Sequence, residues 1–195
     1  MSNHIRYQTL PAETSIALHV VFGEQTHSTR IARIETGDED LAETDGLVTE
    51  NPELVLGVKT ADCAPIVFVG KEQFGIVHAG WRGLVDGIIE KMLDEFAVET
   101  PHLWIGPLYP AFEIQRDACY ERIHARFGDS FFTEHDDQLE FRFLDAIRSI
   151  IPQAEYCGRS THADPTLASW RRDKILARNN ITLVGALPAG LVAER

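Results

Sequence analysis

A mixed α/β (α+β) domain is what this sequence of 195 residues predicts, and three observations carry the prediction. Short apolar runs bounded by turn residues crowd the first half of the chain, as strands do. Two of them, "PIVFV" (65–69) and "FGIVHAG" (74–80), are joined only by "GKEQ" and read as a hairpin, so part of the sheet is antiparallel. The period then changes: Leu84, Val85, Ile88, Ile89, Met92, Leu93 and Phe96 recur at three- and four-residue steps, one apolar face of a helix over about 81–96.

The other elements follow in order. "SIALHVVF" (15–22), ended by Gly23, reads as a strand, and "TRIARIE" (29–35) as another. The acidic stretch 35–46, "ETGDEDLAETDG", reads as a loop whose charges face water. "LVLGVKT" (54–60) is a third apolar strand. Asp86, Glu90, Lys91, Asp94 and Glu95 form the polar face of the helix. "HLWIG" (102–106) predicts a strand, and 117–127 a helix stopped by Gly128. "EFRFL" (140–144) is a short strand and 145–151 a short helix ended by Pro152. Residues 164–179 are helical or irregular, with Pro165 suited to a first turn, and "ITLVGAL" (181–187) closes the chain as a strand. No repeat, low-complexity run or long linker divides the sequence, so 1–195 reads as one domain.

Composition narrows the function. Hydrophobic residues at 44% and charged residues at 25% are a globular balance. A formal charge of −12 repels phosphate backbones, which argues against nucleic-acid binding but permits a local basic pocket for a small anion. No apolar run reaches membrane-spanning length, and the N-terminus lacks the pattern of a signal peptide. Cys63, Cys119 and Cys157 form no CxxC and no even framework, so reduced thiols are expected. With no signal pattern or spanning run the cytoplasm is the default, and the sequence does not set the oligomeric state, a monomer being favoured.

Cys63 and His78 stand at the two ends of the predicted hairpin, so they meet if it forms. Such a pair has two chemical readings. The imidazole can stabilise a nucleophilic thiolate, or both side chains can bind zinc. A catalytic zinc site needs a third protein ligand and an open position, and His27, in the turn-like "GEQTHSTR", is the best candidate. A buried inert thiol and a satisfied core histidine explain the same residues equally well. Gly80-Trp81-Arg82-Gly83 opens the predicted helix: its amides, the close approach that Gly80 and Gly83 allow, and the Arg82 fork suit a phosphate or carboxylate. Asp62 is placed to move protons or to orient a histidine, or merely to cap nearby amides. Arg171 and Arg172, with Arg178 beyond, can line an anion pocket or face solvent. His4, His19, His102, His124, His135 and His162, with Cys119 and Cys157, read as structural or surface residues.

"TADCAPIVF", "GIVHAGWRGL" and "WIGP…FEI" resemble the YfiH family, also called the laccase-domain or polyphenol-oxidoreductase family. The similarity runs in order from about His27, through "TDGLVTENPELVLGVKTADC", to "WRRDKILARN". It implies a sandwich of mixed sheets packed between helices, related to deamidase folds that use a Cys–His pair. It implies zinc ligands at His27, Cys63 and His78, the same triplet that ligand chemistry selects. The implied activity is phosphorolysis of adenosine, inosine, guanosine and methylthioadenosine, with adenosine deamination beside it; purine nucleoside and phosphate are the implied partners. Copper oxidation of phenols ranks below zinc, because a laccase needs several copper centres. A metal-free Cys–His hydrolase or deamidase, and a degenerate purine-binding protein, are the alternatives. Two departures stand out. About 26 residues precede His27, without the Arg-then-Gly-Ser segment that helps form the family's substrate pocket; and Ser28 replaces the glycine after the histidine, while "IGPLYP" lacks the family's cysteine.

Overall fold

The computed structural model describes residues 5–136, 138–176, 178–188 and 191. Seven strands come first: β1 (Arg6–Leu10), β2 (Val21–Phe22), β3 (Arg30–Arg33), β4 (Thr44–Thr49), β5 (Val55–Thr60), β6 (Ala64–Val69) and β7 (Phe74–Ala79). Next are α1 (Trp81–Val85), α2 (Ile88–Glu95), β8 (His102–Ile105), β9 (Phe112–Ile114) and α3 (Ala118–Phe127). The last part holds β10 (Phe132–His135), β11 (Gln138–Phe141), α4 (Phe143–Ile150), β12 (Glu155–Tyr156), α5 (Trp170–Asp173) and β13 (Asn180–Gly185).

The central sheet runs β12-β8-β6-β7-β4-β3, antiparallel through its middle and parallel at both edge pairs. A second sheet, β1-β13-β5-β2, packs on one of its faces, and α1–α4 cover the other. β6 shows why. Ile66 and Phe68 point to the helix side, among Leu84, Ile88, Met92 and Phe96, while Val67 points between the sheets, against Leu56, Val58 and Val184. Successive side chains alternate faces, so a strand buried on both sides must be apolar throughout. β9, β10 and β11 form a small antiparallel sheet whose Phe112 and Phe141 join the helix-side core.

Several elements differ from expectation. Only Val21–Phe22 of the predicted strand 15–22 is paired; Ile16, Leu18 and Val20 instead pack as irregular chain on the outer face of the second sheet, with Val55 and Leu183. The run 54–60 is indeed a strand, but β5 lies in the second sheet, paired with β13, not beside β6. The acidic loop is overturned at its end: 44–46 begin β4, every residue of which is buried. Within the loop proper, Glu39 does more than face water, accepting hydrogen bonds from the amides of Glu35, Thr36 and Gly37. The single helix 81–96 is two, because Gly87 adopts φ 89°, a left-handed conformation that stops α1 and restarts the chain as α2. α3 matches its prediction, with the Asp117 carboxylate accepting from the Cys119 and Tyr120 amides at its N-cap. α4 starts two residues early, at Phe143, so Phe143 is helical rather than the end of a strand. Of 164–179, Trp170–Asp173 is α-helical and Lys174–Leu176 a 3-10 turn; Ala177 lies outside the described residues.

The hairpin matters most for function. Pro65 faces His78 and Ala64 faces Ala79 across β6 and β7, so Cys63 emerges one residue before the pairing starts, beside the strand end that carries His78. Among the described residues, no helix is long and apolar enough to cross a membrane.

Candidate metal and substrate site

His27, Cys63 and His78 do converge: one ligand atom from each lies within 4.8 Å of the others. Cys63 Sγ is 3.8 Å from His27 Nε2, and the two imidazoles meet edge to face, with ring centroids 4.8 Å apart. The chain reaches this cluster from three directions: the segment after β2, the start of β6 and the end of β7. Among the described residues it is the group of His, Cys, Asp and Glu side chains arranged to hold a metal ion. His102, bonded to Tyr7, and His124, bonded to Asp129, stand apart from it, as does His162, stacked on Tyr109; His4 lies outside the described residues.

Asp45 organises the cluster, and sequence reading placed it in a solvated loop. Its side chain is wholly buried. One oxygen accepts the His78 Nδ1 hydrogen at 2.7 Å, which leaves Nε2 as the ring nitrogen on the Cys63 side. The carboxylate also accepts the backbone N–H groups of Thr26 (3.0 Å), His27 (3.1 Å) and Ser28 (2.7 Å). One buried carboxylate thus holds the His27 loop and sets the His78 ring. A carboxylate orienting a ligating histidine is the usual support of a metal site. The only signal in the sequence was the apolar "GLVT" directly after it, which extends a buried strand back through Asp45.

Charge in the cluster is arranged to match. Burial opposes ionisation of Cys63, but hydrogen bonds from His27 and His78 outweigh it and bring the thiol down to about 6. Burial likewise opposes a charge on His78, but Asp45 and Cys63 outweigh it and raise the imidazole to about 9. Asp45 is held below the usual carboxylate range: its own burial works against the charge, and the bonds from His78, Ser28 and Thr26 prevail. The thiolate is the form in which cysteine binds a metal.

Backbone strain concentrates here too. His27 has φ 64° and Asp62 φ 93°, conformations that cost of order 1–3 kcal/mol each for residues other than glycine. Both are held by hydrogen bonds: His27 through its amide to Asp45, and Asp62 through its carboxylate, which accepts from the Thr161 hydroxyl (2.7 Å) and the Arg171 amide (2.7 Å). Asp62 therefore pins the start of α5 against the chain that carries Cys63.

The glycine corner has a different use from the one its sequence suggests. A Cβ on Gly80 would stand 2.6 Å from His27 Cδ2 and 3.2 Å from Cys63 Sγ, so this glycine makes room for the cluster. Gly83 is buried, and a Cβ there would meet the Ser28 carbonyl oxygen at 3.2 Å. α1 has five residues, too few for a strong dipole at its start. We expect Gly80→Ala to fold, at a cost of about 1–3 kcal/mol for overpacking, and to lose roughly tenfold in metal affinity by displacing the His27 ring. Titration with a competing chelator measures this; unchanged affinity would show that the ring has room to give.

A cavity of about 630 Å³ opens over the cluster. Lys59, Arg82 and Arg171 give it a positive lining in an acidic protein, and Trp81, Phe112, Phe143 and Trp170 an aromatic one. Arg82 lies on Trp81, 4.5 Å from ring centroid to guanidinium carbon, and Arg171 on Phe112 at 4.4 Å. Lys59 went unnoticed in the sequence because nothing local marks a lysine in a strand as facing a cavity. Arg172 is a correction. Its guanidinium donates to the carbonyls of Thr161, His162, Asp164 and Leu167 and pairs with Asp173, and it does not line the cavity. It ties together the loop before α5, leaving Arg171 as the arginine at the site.

Residues 4–178 match the family described as multi-copper polyphenol oxidoreductase laccase. The chain is 31% identical over 185 residues to a purine nucleoside phosphorylase of Aquifex aeolicus, covering 89% of this chain and 84% of that one. It is 37% identical over 91 residues to a purine nucleoside phosphorylase of Haemophilus influenzae, a match spanning 45% of this chain and 37% of the relative. Among solved structures, Bacillus licheniformis YfiH superposes with a TM-score of 0.75 at 25% identity, over 85% of this chain and 73% of its own.

Proposed function

This chain belongs to the polyphenol oxidoreductase laccase family, which includes YfiH, and from that membership we propose that it is a zinc-dependent purine nucleoside phosphorylase. The observation that carries the proposal is the joining, in one cavity, of the His27–Cys63–His78 cluster with Lys59, Arg82 and Arg171. Relatives bearing the name purine nucleoside phosphorylase support the same reading.

The donor set fits zinc. Two imidazole nitrogens and one thiolate are common ligands of a catalytic site that keeps a position open, and Gly80 leaves the space between them clear of a side chain. One such cluster among the described residues does not furnish the several centres of a multicopper oxidase. When bound, zinc supplies Lewis-acid chemistry and lowers the pKa of a bound water.

In phosphorolysis a phosphate oxygen forms a bond to the ribose anomeric carbon as the carbon–nitrogen bond to the purine breaks. The base leaves with the bonding pair and takes up a proton. Arg82, Arg171 and Lys59 hold the phosphate dianion, and Arg82 and Arg171 arrive already oriented by the rings they lie on. Asp62 keeps Arg171 in place, so its role is positioning; both its oxygens are engaged, which leaves it poorly placed to carry a proton. The substrate range of adenosine, inosine, guanosine and methylthioadenosine, and the deamination of adenosine, belong to the same proposal.

Metal analysis of the purified protein, paired with chromatography of purine nucleosides with and without phosphate, tests it. About one zinc per chain and phosphate-dependent release of free base are expected. Inosine formed from adenosine without phosphate would move the assignment to deamination. Zinc with no product from any purine nucleoside would overturn catalysis and leave a binding protein.

A further inference from the structure

Four aromatic side chains line the cavity, and three are already engaged. Trp81 is overlain by Arg82 and, at 5.5 Å, by Arg122. Phe112 carries Arg171, and Phe143 is buried against Phe112 and Phe141. Trp170 differs. It is 59% exposed, and among the described residues no aromatic ring or cation lies on it.

The backbone that carries Trp170 is nevertheless fixed on every side. The Asp62 carboxylate accepts the Arg171 amide, and the Ser169 hydroxyl accepts the Arg172 amide at 3.3 Å. The Ser169 amide bonds Asp173, and Asn180 holds Ala168 through both its amide and its carbonyl, at 2.8 and 2.9 Å. A large exposed indole thus projects from an anchored backbone at the edge of the cavity, next to the arginine assigned to phosphate. Unlike the exposed Val98 and Leu176, Trp170 lines the cavity, and a flat π face is what a nucleobase stacks on.

We propose that Trp170 is the platform on which the purine base stacks, and that it makes the site prefer purine to pyrimidine nucleosides. The identity of the base rests on the phosphorylase reading; the stacking itself does not. Trp170 touches the base and not the phosphate, so it governs nucleoside affinity alone.

The test measures inosine and uridine binding to the zinc-loaded protein by calorimetry, with KM for inosine and for phosphate, in the chain as it stands and in Trp170→Ala and Trp170→Phe. Because Trp170 is exposed, both variants should keep the melting temperature. Trp170→Ala should weaken inosine binding roughly 5- to 150-fold and raise its KM alike, with the phosphate KM unchanged. Trp170→Phe should restore most of the loss, and the preference for inosine over uridine seen in the unaltered chain should narrow in Trp170→Ala; a preference unchanged in that variant would overturn the role in purine selection. Normal turnover with inosine affinity unmoved in Trp170→Ala would overturn the stacking and leave the phosphorylase reading standing. Inosine binding that depends on Trp170, without turnover, would retain the stacking and overturn phosphorolysis. Neither binding nor turnover would overturn both.

Discussion

Cys63→Ala should remove the bound metal and the turnover together while the protein still folds. In the proposed site the thiolate is one of three ligands, and removing the sulfur leaves two imidazoles facing an open cavity. Loss of an outer-shell partner typically weakens a metal site 10- to 100-fold, so loss of a ligand should exceed about 100-fold. Stability should change by only about 1 kcal/mol, because the strand pairing of β6 begins after Cys63. Full activity in metal-free Cys63→Ala protein would sink the zinc assignment. The wild-type thiol separates the rival thiol chemistry from the metal reading. With its thiol brought down to about 6 by the two imidazoles, metal-free Cys63 is largely thiolate at pH 7 and should react quickly with iodoacetamide. Zinc-bound protein should be protected until a chelator strips the metal. Fast alkylation that no chelator alters, together with turnover, would instead identify a Cys–His hydrolase.

The second large effect falls on Asp45, which does not line the cavity over the cluster. Asp45→Ala leaves three half-buried amides and the buried His78 imidazole without their acceptor. Removing one partner from a buried charged network costs about 3–5 kcal/mol. At about 2–4 °C per kcal/mol for a chain of this size, the melting temperature should drop by roughly 6–20 °C. The same change releases the strained His27 loop and the His78 ring, so metal affinity should fall about 10- to 100-fold in whatever protein remains folded. Calorimetry of the metal-free protein isolates the first effect and chelator competition the second. A metal-free melting temperature within about a degree of wild type would show that water replaces the carboxylate at those amides.

These two residues also mark how much could be read in advance. Cys63 and His78 were legible because a hairpin of known register brings its own ends together, and the apolar runs that define the hairpin are local. His27 followed from the chemistry of a third ligand, and the turn around it is local too. Asp45 was hidden. In sequence it ends an acidic stretch, and its burial comes from β4 slotting between β7 and β3, pairings made with residues 30–33 and 74–77. The same reason hid Lys59, whose strand belongs to a different sheet from its neighbours, and it sent Arg172 inward while Arg171 lines the cavity.

By itself, then, the sequence determined the fold class, the hairpin and the three side chains of the cluster, since each depends on periodicity, turn chemistry or donor type within short segments. The tertiary structure decided which carboxylate supports the cluster, which arginine reaches the cavity and which aromatic remains free. Those depend on partners up to 109 positions apart, as when Asp62 accepts the amide of Arg171. A burial produced by distant strands and loops leaves no pattern in the residues around it.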